Sequence, residues 1–136
     1  MNKEDFVTYE QAIALKKLGF RDKCLYHYNI FNELVPNQFN AEDETITVED
    51  LYDSLNTDTK SKIVCDVPTL AQAQKWLMKE KNCFVHPGFI LKHHWNFTIF
   101  DVIEAEPIFC SHIMYSSYEE ALSAGIIECL KLLENG

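Results

Sequence analysis

Glycine is scarce in this chain. Its 136 residues contain four, Gly19, Gly88, Gly125 and Gly136, and no two lie close together. A loop that brings backbone against a phosphate needs clustered glycines, so neither a P-loop nor a dinucleotide loop is present, and the common nucleotide-dependent enzymes are not expected. Long hydrophobic runs are missing as well. The longest last only a few residues, where a membrane helix needs about 20. The opening Met1-Asn2-Lys3-Glu4-Asp5 places charges where a secretion signal requires an apolar stretch. No signal and a cytoplasmic location are therefore expected. Positive charge is in deficit: 12 basic against 21 acidic residues give a net charge of −9, and Lys16-Lys17 is the one adjacent basic pair. Such a chain repels phosphate backbones, which disfavours direct nucleic-acid binding. The five cysteines, Cys24, Cys65, Cys83, Cys110 and Cys129, include no Cys-x-x-Cys. Their odd number and wide spacing argue against a disulfide framework and for reduced, buried thiols. Asn96-Phe97-Thr98 matches a glycosylation sequon, which carries no meaning without a secretion signal.

Core material, by contrast, is ample. Hydrophobic residues make up 47% of the chain, with 9 Phe, 6 Tyr and 2 Trp. The length suits one domain and one core. The expectation is a single domain over residues 1–136, with an acidic irregular excursion at about residues 33–66.

Three segments share one local grammar: Thr8-Tyr9-Glu10-Gln11-Ala12, Thr69-Leu70-Ala71-Gln72-Ala73 and Ser117-Tyr118-Glu119-Glu120-Ala121. Each is a hydroxyl residue with Gln or Glu three places on, the pattern in which a side chain caps a free backbone N–H and a second reaches back. Each marks a helix start. The first helix is expected from about Tyr9 to Leu18, with Ala12, Leu15 and Leu18 on one face, Gly19 as its stop and Phe20 folding back on the last turn. The second runs from about Leu70 to Lys81, with Leu70, Ala73, Trp76 and Leu77 inward, Pro68 before its cap and Asn82 at its end. The third runs from about Tyr118 to Leu133, with Leu122, Ile126, Cys129, Leu130 and Leu133 inward. Gly125 lies inside that helix at a cost of roughly 1 kcal/mol against Ala, which a close approach by a neighbouring element would compensate.

Between the second and third helices the pattern turns to aromatic and β-branched residues. Cys83–Val85, Trp95–Ile103 and Ile108–Tyr115 read as three strands, with turns at Pro87-Gly88 and at Glu104 to Pro107. Cys24–Tyr28 is a candidate fourth strand. Thr47–Leu55 fits a short capped helix inside the acidic excursion. The whole reads as α+β: an antiparallel sheet of three to four strands packed in two layers with three main helices.

Pro68-Thr69-Leu70-Ala71-Gln72-Ala73-Gln74-Lys75-Trp76-Leu77 and Tyr118-Glu119-Glu120-Ala121-Leu122-x-Ala124-Gly125-Ile126 resemble segments of a family of small uncharacterised proteins of gut anaerobic bacteria and their phages and prophages. Tyr9-Glu10-Gln11-Ala12 and Leu18-Gly19-Phe20 fit the same pattern. The matching residues are caps and core positions, so the resemblance implies a small accessory protein of a bacterial genome or prophage and supplies no catalytic residue.

The side chains that carry chemistry are few and spread out. Cys83-x-x-His86 and Cys110-x-His112, with His94 on the neighbouring strand, are the candidate metal ligands. A structural zinc site wants four ligands in close pairs, and residues i and i+3 on a strand point to opposite faces. Cys83 and His86 would therefore share an ion only if Pro87-Gly88 bends the chain, whereas Cys110 and His112 share a face. The competing reading is core cysteines and surface histidines, with no metal and no cofactor. No local signature of a nucleophile surrounds any cysteine. Asp and Glu between residues 42 and 58 lack the glycine of a calcium loop and read as a solvated surface. A mimic of nucleic-acid charge that blocks a DNA-binding enzyme is the functional alternative. Trp76, Trp95, Phe97 and Phe109 read as core, with a base-stacking face as alternative. The expected role is a non-enzymatic accessory or protein-interaction protein whose partner is another protein or a second copy. The alternatives are a small metal-binding or Cys/His-dependent enzyme and an acidic inhibitor.

Overall fold

The computed structural model describes residues 3–29, 31, 33–37 and 63–135. The short helix expected over Thr47–Leu55 and the acidic cluster between residues 42 and 58 lie outside the described residues. The fold class is α+β with antiparallel sheets, formed by three α-helices and six strands among the described residues. The chain divides into two compact units, Phe6–Pro68 and Thr69–Gly136, the latter joined by Met1–Asp5.

In the first unit, α1 (Tyr9–Lys17) opens on the expected cap. Gln11 N–H donates to Thr8 Oγ1 at 3.2 Å, and Thr8 N–H donates to Gln11 Oε1 at 2.6 Å, a complete reciprocal capping box. Its end is a glycine stop: Gly19 has φ +102, Gly19 N–H bonds to the Lys16 carbonyl and Phe20 N–H to that of Leu15. Phe20 is buried there, with Ala12 and Leu15.

The Cys24–Tyr28 run does form a strand, β1 (Tyr26–Asn29), but not as a fourth member of the later meander. It is the centre of its own sheet, flanked antiparallel by β2 (Leu34–Pro36) and β3 (Ile63–Val67). Those partners sit at the two ends of the stretch read as irregular. At three residues β2 is too short to show a period of two, and β3, Ile63-Val64-Cys65-Asp66-Val67, is apolar at four of five positions and does not alternate. Helix α1 packs on β3. Lys16 Nζ donates to the Val64 carbonyl at 2.9 Å, and the Tyr28 hydroxyl donates to the Val7 carbonyl at 3.1 Å.

The second unit contains α2 (Leu70–Lys81), β4 (Cys83–Leu91), β5 (His94–Asp101), β6 (Glu106–Cys110) and α3 (Tyr118–Asn135). Thr69 Oγ1 accepts from Gln72 N–H, and Asn82, left-handed at φ +57, closes α2. The strands form an antiparallel meander in the order β4-β5-β6, as the sequence led one to expect, but the third is Glu106–Cys110 rather than Ile108–Tyr115, so the second turn ends before Pro107. Pro87-Gly88 is not a turn: β4 runs straight through it, pairing Pro87 with Phe97 and Gly88 with Asn96. β4 is an edge strand, where a proline with no N–H costs no ladder bond. The chain reverses instead between Leu91 and His94, with His93 in the left-handed region at φ +62.

Helix α3 packs on β4 and β5, and α2 on β4 and α3. Val85, Phe97 and Ile99 from the sheet meet Ala73, Trp76 and Leu77 of α2 and Leu122, Ile126, Cys129 and Leu130 of α3 in one buried core. Gly125 is explained by this packing. A methyl group there would collide with Val85 Cγ1 and come within 3.1 Å of the Phe97 ring, so the strands are the close neighbour that its absence of a side chain admits.

Candidate functional site

Strand parity disperses the residues singled out as metal ligands. Cys83, the first residue of β4, points into the core, while His86 is exposed on the opposite face, beside Phe84 and Phe100 with ring centroids 5.7 and 6.2 Å away. Because β4 does not bend at Pro87, the two stay on opposite faces. Cys110 is exposed at the end of β6 and shares the face of His86, with Thr98 between them in register: His86 pairs with Thr98, and Thr98 with Cys110. The Thr98 hydroxyl donates to Cys110 Sγ at 3.7 Å. His112 lies past the end of β6, so it does not share a strand face with Cys110. His94 opens β5, at the opposite end of the sheet from Cys83, its Nδ1 2.9 Å from the Lys92 carbonyl. Among the described residues no three His, Cys, Asp or Glu side chains converge on a point that would hold an ion.

The thiols divide by environment. Cys24, Cys65, Cys83 and Cys129 are buried and Cys110 is exposed. Burial pushes the Cys65 thiol up to about 12, against the opposing pull of Lys16. Burial likewise raises Cys83 and Cys129. Thiols so held are protonated and poor nucleophiles.

One polar constellation was not legible in the sequence. His27 (8% exposed) and Asn37 (6%) are buried together in the first unit. Asn37 Nδ2 donates to the Cys24 carbonyl at 2.7 Å, and its backbone N–H donates to that of Leu25 at 2.8 Å. With the amide nitrogen so engaged, Asn37 Oδ1 faces His27 Nδ1 at 2.6 Å, and that nitrogen must carry the proton. The ring is thereby fixed in orientation. A histidine oriented this way can serve as a base or a ligand when a partner is at hand. The hollow nearby in the same unit, lined by Ala12, Lys16, Phe20, Arg21 and Asp66, admits nothing larger than a water. No spacing rule links residues ten apart in sequence, and the contact exists only because β2 folds back along β1.

One organised surface feature among the described residues is apolar. At the hairpin end of the second sheet, Phe89, Trp95 and Tyr118 stack edge to face, with centroids 5.3 and 5.5 Å apart. Phe89 is 65% exposed, and Leu91, on the same strand, is exposed too. Trp95 and Tyr115 exchange backbone hydrogen bonds of 2.8 and 2.7 Å, which fixes the base of this row. Of the aromatics expected in the core, Trp76 and Phe97 are buried and Phe109 stacks on Phe97, whereas Trp95 belongs to this surface row. Compared with family models, curated proteins and solved structures, the chain matches none.

Proposed function

We propose that the protein is a non-enzymatic interaction module, an accessory protein of a bacterial genome or prophage that works by surface contact with another protein. The observation that carries this reading is the aromatic row Phe89–Trp95–Tyr118, in which Phe89 and Tyr118 are exposed around a half-buried Trp95. Aromatic side chains offer large contact area at little cost in conformational freedom, and they are enriched where interfaces bind most tightly. A chain that left Phe89 65% exposed with no use for it would carry a liability for association. The dispersal of the candidate metal ligands Cys83, His86, His94, Cys110 and His112 supports the same reading, since metal chemistry needs convergent groups.

The test is affinity capture from the native host with the full chain as bait, comparing wild type with Phe89→Asp. The expected result is a specific partner retained by the wild type and lost, or weakened at least about tenfold, in the variant. Thermal stability should stay unchanged, because Phe89 is a surface residue. Equal capture by both proteins, or no specific partner for either, removes the assignment to this surface.

A further inference from the structure

Cys83 and Cys129 are 46 positions apart in sequence, yet the fold sets them together. The arrangement follows from Gly125. That residue sits directly over Val85, close enough that no side chain fits between the helix and the strand. One helical turn onward, Cys129 lies about 6 Å further along α3. Two residues back on the same face of β4, Cys83 lies about 6.7 Å from Val85. Helix α3 advances in that direction, because Tyr118 lies against Trp95, itself beside Phe89, while Gly125 lies against Val85; the two displacements therefore nearly match and place the second thiol over the first. Both side chains are buried, Cys83 at 7% exposure and Cys129 at 0%. A disulfide requires Cα atoms about 4.4–6.8 Å apart. A helix ordinarily rides on a sheet at a greater distance than that. The missing side chain at residue 125 is what lets this one approach.

We propose that Cys83 and Cys129 are a redox-active dithiol, which a low-molecular-weight disulfide converts into a covalent staple between β4 and α3. Cys83, the more accessible, attacks one sulfur of the reagent R–S–S–R as its thiolate. A mixed disulfide forms, and the first RS⁻ leaves and takes up a proton. Cys129 then attacks the Cys83 sulfur, giving up its own proton, and the second RS⁻ leaves and is protonated in turn. Two protein thiols lose two electrons and two protons, and one reagent disulfide becomes two thiols. Burial delays both attacks until the end of β4 opens. The pair therefore stays reduced through brief exposure and closes under sustained oxidation. The exposed Cys110 reacts first, and reversibly.

The experiment equilibrates the full-length protein in glutathione redox buffers of increasing oxidised fraction. It does so both in plain buffer and in urea just below the unfolding transition, where local opening is frequent and the thermodynamic end point is reached. Acid quenching, alkylation and non-reducing peptide mapping then report the connectivity. The expected product joins the Cys83 peptide to the Cys129 peptide, is absent from Cys83→Ser and from Cys129→Ser, and melts higher than the reduced protein. Mapping of the wild type decides the matter even if a variant folds poorly. The proposal is overturned if, at the oxidising end point, these two cysteines remain free, carry separate glutathione adducts or join other cysteines.

Discussion

At the residue scale, two positions convert burial into measurable stability. Gly125 would gain roughly 1 kcal/mol of helix propensity if replaced by Ala. The added methyl, however, meets Val85 Cγ1 and the Phe97 ring, which are themselves fully packed. Overpacking of that kind costs about 1–3 kcal/mol, so packing outweighs propensity. Gly125→Ala is expected to be destabilising in urea unfolding by up to about 2 kcal/mol net; a more stable variant would show that the helix and sheet are not in contact there. Cys65 gives a pH signature. Its thiol titrates near 9.0 when free and is pushed up to about 12 by burial in the fold. The folded state therefore holds a proton that the unfolded state has lost. Between those values the unfolded chain binds fewer protons, so stability is intact below about pH 9 and falls as pH rises toward 12. Tyr28, Cys83 and Cys129 are raised in the same direction and add to the fall. Urea midpoints at about pH 8 and about pH 10.5 should differ accordingly, with a smaller difference in Cys65→Val. A midpoint independent of pH across that range would contradict the burial of these thiols.

At the element scale, the helices were legible because their signals are local. A hydroxyl cap and a residue three places on lie within one turn, and the structure confirms all three starts. It refines the third. Ser117 Oγ accepts from Glu120 N–H at 3.1 Å, but Glu120 reaches back to Ser116, bonding its hydroxyl at 2.8 Å and its N–H at 3.3 Å, one residue earlier than the usual box. Ser117→Ala should cost about 1 kcal/mol, and Ser117→Asp should restore most of it, because a carboxylate also caps and favours the positive end of the helix. Equal melting temperatures for wild type and Ser117→Ala would mean that α3 does not begin there. The strands were less legible where the outcome depended on the neighbours. Pro87-Gly88 carries strong turn chemistry, yet tertiary position overrides it. The edge of the sheet tolerates the proline, and Gly88 makes room for the Asn96 side chain opposite. His27 with Asn37, and Cys83 with Cys129, were invisible for a related reason: each pair is made by strand or helix pairing, and no periodicity in a single segment encodes it.

At the scale of the whole molecule, both units solve the same problem with the same devices. A three-stranded sheet has two edges, and an edge with free N–H and C=O groups templates pairing with another chain. Three of the four prolines lie in edge strands: Pro36 in β2, Pro87 in β4 and Pro107 in β6. On β3 the Val64 carbonyl is taken by Lys16 of α1, and on β4 the Val85 carbonyl is taken by Gln74 of α2 at 2.7 Å. β6 adds a register shift opposite Ile99 and Phe100, which breaks the regular ladder. Closed edges leave the faces and the hairpin end as the surfaces through which this chain meets partners, in keeping with the exposed Phe89. If the edges are closed by these residues, opening one should change how the protein associates. Replacing Pro87 by Val supplies an N–H on β4, and replacing Gln74 by Ala frees the Val85 carbonyl two residues away on the same side. The double variant loses one side-chain hydrogen bond, worth about 1 kcal/mol, and should remain folded. Its sedimentation velocity should show mass increasing with concentration beyond any seen for the wild type, and adding Lys at Phe84 (Phe84→Lys) should not reverse it, because pairing at an edge runs through backbone. Identical sedimentation of the double variant and the wild type would mean that β4 is shielded by something other than these two side chains.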